Sequence, residues 1–135
     1  MNIRQRLSRA TSVVVLTSSS LLASGSFFGG YLYPVGDSTQ RPTASLPNAN
    51  GYEITQLFNN DDGHTGVDLA NGSSGGDVRA IANGRVVQRL DGINGWGYMV
   101  RVEHRLPSNE KVYSQYGHMA AGSLLVNLAD EVYKG

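Results

Sequence analysis

Tyr98, Val100 and Val102 alternate with Arg101 and Glu103 in the stretch Tyr98-Met99-Val100-Arg101-Val102-Glu103-His104. Alternation with a period of two marks a strand with one buried face. The segment Leu106-Pro107-Ser108-Asn109-Glu110 then turns the chain. Lys111-Val112-Tyr113-Ser114-Gln115-Tyr116 returns as the partner strand, and a short turn between two such runs joins antiparallel neighbours. Tyr113 and Tyr116 fall on opposite faces because their spacing is odd.

Working outward, residues 78–90 read as strand, Asn83-Gly84 turn, strand, since Asn-Gly between apolar runs is a strong hairpin signal. Residues 91–97 form a second glycine-rich turn around Trp96, the single tryptophan, which either lines a substrate groove or fills a core or turn position. Residues 52–58 alternate weakly, and residues 124–132 add a further short apolar segment. The 17 glycines among 135 residues, the tight turns and the lack of a convincing long helix predict a mainly β domain. It is built on an antiparallel β-sheet.

Composition removes several function classes. Eleven basic residues balance eleven acidic ones, which gives no electrostatic reason to expect nucleic acid as a partner. There is no cysteine, which excludes disulfides, thiolate metal sites and a cysteine nucleophile. Residues 71–77 (NGSSGGD) have the composition of a turn. No Gly-Lys-Ser/Thr follows them, so they are not a nucleotide phosphate loop.

The chemistry-bearing stretch is Asp61-Asp62-Gly63-His64-Thr65-Gly66-Val67-Asp68-Leu69-Ala70. His64 and Asp68 supply one nitrogen and one oxygen donor of the kinds zinc prefers. In an extended strand their Cα atoms would stand about 13 Å apart, so the chain must bend between them, and Gly66 permits that. The spacing alone also fits a polar turn leading into a strand. A calcium-binding helix–loop–helix is excluded, since it would put its first ligand at Phe58 and its closing acid at Leu69.

The N-terminus carries Arg4, Arg6 and Arg9 without an acid, and no charged side chain occurs from Ala10 to Gly36. A basic region followed by apolar clusters is the pattern of an export signal. The uncharged stretch also exceeds the roughly 20 residues that span a bilayer. Residues 1–25 are therefore expected to be a signal peptide or N-terminal membrane anchor. Residues 26–50 read as a linker and entry into the domain, with Ser, Thr, Pro and Asn concentrated from Ser38 to Asn50, and residues 51–135 are expected to form the domain proper. Tyr33-Pro34-Val35 is expected to make its first edge contact. Either leader outcome implies an exported location: periplasmic, cell-envelope or extracellular.

The order of these pieces resembles the lysostaphin- and LytM-like zinc endopeptidases, metallopeptidase family 23. The resemblance is carried by Tyr33-Pro34-Val35, by Phe58 followed by His64-Thr65-Gly66-Val67-Asp68-Leu69-Ala70, and by Asp77-Val78-Arg79-Ala80 with Asn83-Gly84-Arg85-Val86. It continues through Gly95-Trp96-Gly97-Tyr98-Met99-Val100, Val102-Glu103-His104, Tyr116-Gly117-His118-Met119, and finally Asp130, Val132, Lys134 and Gly135. It implies an antiparallel sheet forming the floor of a loop-walled groove, and hydrolysis of a peptide bond in bacterial peptidoglycan. It implies Zn2+ held by His64 and Asp68, with His118 catalytic beside the metal. No particular residue is implied as a substrate contact.

The family's third ligand comes from an H-x-H motif that this sequence does not contain. The domain is accordingly expected to be partial at its C-terminus, and the 135-residue chain a poor hydrolase or none. The alternative is a non-catalytic relative that binds peptidoglycan or regulates another wall hydrolase. The remaining histidine, His104, precedes a turn and neighbours Arg105. It is expected to be an exposed structural residue, with service as a substitute third ligand as the competing role.

Overall fold

The computed structural model describes residues 6–10 and 12–17 at the level of the backbone, and residues 32–36, 39, 51–56, 66–72, 76–92 and 95–135 in full. Among the described residues nine strands follow in chain order: β1 (Arg6–Ala10), β2 (Ser12–Thr17), β3 (Glu53–Gln56), β4 (Asp68–Ala70), β5 (Gly76–Arg79), β6 (Gly84–Asp91), β7 (Tyr98–Arg105), β8 (Lys111–Met119) and β9 (Glu131–Val132). All the pairings are antiparallel. Among the described residues no helix is long and apolar enough to cross a membrane.

The hairpin read from alternation is the spine of the sheet. Arg105 pairs with Lys111, and the register runs on through His104–Val112, Glu103–Tyr113, Val102–Ser114 and Arg101–Gln115. The turn is closed by the Leu106 N–H donating to the Glu110 carbonyl at 2.9 Å and the Asn109 N–H donating to the Leu106 carbonyl at 2.8 Å. Asn109 takes a φ of 67°, a left-handed conformation that Asn tolerates better than most residues. Val100, Val102, Val112 and Tyr116 are fully buried. Arg101, Glu103, Tyr113 and Lys111 lie on the other face, as pairing and alternation require.

The Asn83-Gly84 hairpin is corrected by the structure. β5 pairs with β1, whereas β6 pairs with β7 and β9. Asn83-Gly84 is a link between two strands that do not pair. The Asn83 side-chain oxygen accepts the Lys134 N–H at 2.9 Å, and its carbonyl contacts His104 Nδ1 at 2.8 Å. Tertiary partners thus took the groups that a hairpin turn would have used. Of the apolar segment at residues 124–132, only β9 is strand. The Tyr33-Pro34-Val35 contact is present. Val35 is fully buried, and flanking backbone bonds join Leu32 to Ile81 and Pro34 to Arg79, each at 2.8 Å.

β2 lies between β4 and β8, which do not pair with each other, and β3 forms the edge beyond β4. The leader pattern covers the residues of β1 and β2. A short apolar run such as Val13-Val14-Val15-Leu16 suits a strand as well as a leader, because periodicity alone does not separate the two.

His104 departs from the exposed position expected for it: it is 1% exposed. Its Nδ1 lies 2.8 Å from the Asn83 carbonyl and its Nε2 2.7 Å from Ser114 Oγ. A carbonyl only accepts, so Nδ1 carries the proton, and Nε2 of the neutral ring accepts from Ser114. Ser114 Oγ in turn bonds the Tyr116 hydroxyl at 2.8 Å, which accepts the Ile81 N–H at 2.9 Å. Burial pushes the Tyr116 phenol up to about 12 and pushes the imidazole of His104 below 6.5. Between that lowered value and 6.5 the unfolded chain binds more protons than the folded one. The His104 contribution is therefore complete above pH 6.5 and is lost as pH falls through that interval. Urea titrations at a series of pH values are expected to show this slope, and His104→Gln is expected to remove it.

Candidate active site

Asp68 is half-buried at the start of β4, behind the buried Gly66. It pairs with position 14 of β2, while position 15 pairs with Tyr116 of β8. One step along a strand reverses the face. Asp68 therefore projects from the face opposite Tyr116, and the next residue, Leu69, is in the core at 4% exposure.

His118 reaches the face of Asp68 by a different device. Val100 pairs with Tyr116 and Tyr98 with Met119, so two steps on β7 match three on β8. The surplus residue makes a β-bulge at Gly117-His118, and bulges re-aim side chains next to active sites. Regular alternation would send His118 to the core side with Tyr116. With the bulge, Met119 takes the core position and His118 is exposed. His118 has a φ of 54°, uncommon outside glycine although His is among the residues that tolerate it.

Trp96 holds this conformation. Its carbonyl accepts the His118 N–H at 2.9 Å. Its ring stacks on the imidazole with centroids 6.4 Å apart and 29° between planes. A Cβ on Gly117 would stand 3.1 Å from the indole, so the glycine lets the ring approach. Trp96 is thus a turn residue that orients His118.

Asp68 and His118 share a face across the single intervening strand β2, two strand spacings or on the order of 10 Å between backbones. His64 lies outside the described residues, as does most of the glycine-containing loop before Asp68. Among the described residues no group of three or more His, Asp or Glu side chains could hold a metal. The donor types nevertheless suit zinc: an imidazole nitrogen from His64 and a carboxylate oxygen from Asp68. His104 does not complete this set. It is buried on the opposite face, and both its nitrogens are already bonded.

Sequence reasoning missed two residues on the site face. Arg101 donates from Nε at 2.9 Å and from a terminal nitrogen at 2.6 Å to Oε1 of Gln115, and Gln115 is only 2% exposed. Their neighbour Glu103 meets Lys111 at 3.0 Å and Arg105 at 3.9 Å. The hydrogen bond from Lys111 is the main cause that holds the Glu103 carboxyl below its ordinary range. The signal for Arg101 was present in the sequence. Once the turn pairs Arg105 with Lys111, counting back places Arg101 opposite Gln115.

Comparison with known proteins places the chain in a family. The model of peptidase family M23 matches residues 62–135, more than half of the chain and the part that carries β4 and the bulged β8. Outer membrane antigenic lipoprotein B of Histophilus somni is 36% identical over 86 residues, covering 64% of this chain and 23% of that protein. The chain thus matches about a quarter of that relative's length. No solved structure matches the chain. On the family match, and with an antiparallel sheet that sets Asp68 and His118 on one face, the chain belongs to peptidase family M23.

Proposed function

We propose that the protein is a zinc-dependent endopeptidase domain acting on the peptides of bacterial peptidoglycan. The observation that supports this most is the bulge that turns His118 out of the core and onto the face of Asp68. His64 and Asp68 would hold the metal. Bound there, the metal would supply Lewis acidity for the scissile carbonyl and for the attacking water at neutral pH. His118, stacked on Trp96, handles a proton at its imidazole, taking it during attack or delivering it to the departing amine nitrogen. His118 is exposed, which leaves its imidazole open to an extended peptide.

An envelope location fits the same reading. The basic, then apolar, N-terminus has the order of an export leader, and a relative is described as an outer membrane lipoprotein. During export such a leader would be unfolded, and in a chain that retains it residues 12–17 serve as β2.

Two protein donors hold zinc less firmly than the three of a hydrolytic site. The 135-residue chain is therefore expected to lose most of its zinc on dialysis. Its slow hydrolysis of wall peptides should rise with added zinc and stop with a chelator. Metal analysis after dialysis, combined with release of amines from purified peptidoglycan, checks this. Hydrolysis indifferent to both zinc and chelator would refute the reading.

A further inference from the structure

We propose that Arg101, held by Gln115, is a carboxylate-binding subsite that makes the protein select acidic peptides. This rests on the wall-peptide reading above. Arg101 lies on the face of Asp68 and His118. It is one strand over from the Gly117-His118 bulge and two residues along from it, roughly 8 Å away at backbone level. That distance is two to three residues of an extended peptide, at ~3.3 Å per residue.

The charge at Arg101 has an unusual partner. Two of its nitrogens converge on one neutral amide oxygen, Gln115 Oε1. Among the described residues it makes no ion pair, whereas the nearby carboxylate Glu103 is taken by Lys111 and Arg105. Gln115 is nearly fully buried, so its amide is a fixed acceptor. It sets the guanidinium plane and, being neutral, contributes no negative charge to it. Arg carries five N–H donors in a rigid fork, and two point at Gln115, so donors remain for a ligand. A guanidinium pre-oriented in this way suits a carboxylate, which it binds through paired hydrogen bonds. The structure accordingly assigns the ligand's chemical class as a peptide bearing a free carboxylate two to three residues from the bond cut.

The test is binding of two soluble wall-type peptides to the intact 135-residue chain by calorimetry. One peptide carries a free side-chain carboxylate, and the other carries the carboxamide in its place. The native chain is expected to favour the acid form by roughly fivefold, the upper range for a partly exposed ion pair. Arg101→Gln should abolish that preference while leaving affinity for the amide form unchanged. Gln115→Glu retains the arginine but supplies an internal carboxylate, and it should abolish the preference as well. Circular dichroism confirms that each variant is folded, and either folded variant suffices for the test. Equal, measurable binding of both peptides by the native chain overturns the subsite while leaving the wall-peptide reading intact. Binding of neither peptide overturns both.

Discussion

Gly84→Ala is expected to destabilise the protein by about 3 kcal/mol, the upper range for inserting a methyl into a packed site. A Cβ at this position would lie 2.3 Å from the Glu103 carbonyl oxygen, 2.6 Å from Val102 Cγ1 and 2.7 Å from His104 Nδ1. The first of these is backbone in the middle of β7 and cannot swing away. The third belongs to the buried His104–Ser114–Tyr116 relay, so relief in that direction strains a hydrogen bond. Small domains have stabilities on the order of 5–15 kcal/mol, so the loss is a large share of the total. Gly95→Ala is the control. Nothing lies within 4 Å of its added Cβ, and a change within about 0.5 kcal/mol is expected. Urea unfolding followed by Trp96 fluorescence compares the two. Equal midpoints would mean that β6 and β7 are not packed as described.

His118→Gly is expected to separate stability from activity. Glycine adopts the left-handed backbone of position 118 without the steric cost of a Cβ, a gain of roughly 1 kcal/mol. Loss of the Trp96 stack removes about as much, on the order of 0.5–1.5 kcal/mol. The folded state is therefore expected to be nearly as stable as the native one. Hydrolysis of wall peptide by the zinc-supplied protein should fall by roughly 10²–10⁴-fold, the contribution typical of a positioned acid–base group. Were His118 merely the end of a strand, Gly would be neutral in both measurements. Retained activity in a stable His118→Gly chain would remove His118 from the mechanism.

These two positions show how unevenly the molecule can be read from its residues. Alternation at residues 98–104 and 111–116 locates the central hairpin, because local pairing across a short turn depends on little else. The same reasoning fails at Asn83-Gly84. An Asn-Gly turn is a local preference, and here β5 found its partner in β1 while the Asn83 carbonyl went to His104. His104 itself illustrates the limit. Its neighbours Arg105 and the turn suggest exposure, but its parity with Val100 and Val102 places it in the core, where Ser114 receives it.

The sequence by itself determined the antiparallel class, the candidate donors His64 and Asp68, and the candidate His118. The class and the donor pair follow from residue type and short-range spacing, whereas His118 is singled out by the resemblance to the zinc endopeptidases. Only the tertiary structure decided that Asp68 and His118 share a face, that His104 is excluded from it, and that Arg101 is poised there beside Gln115. Those facts depend on which strands become neighbours and on one surplus residue in β8, and a single inserted position changes which face every following side chain meets.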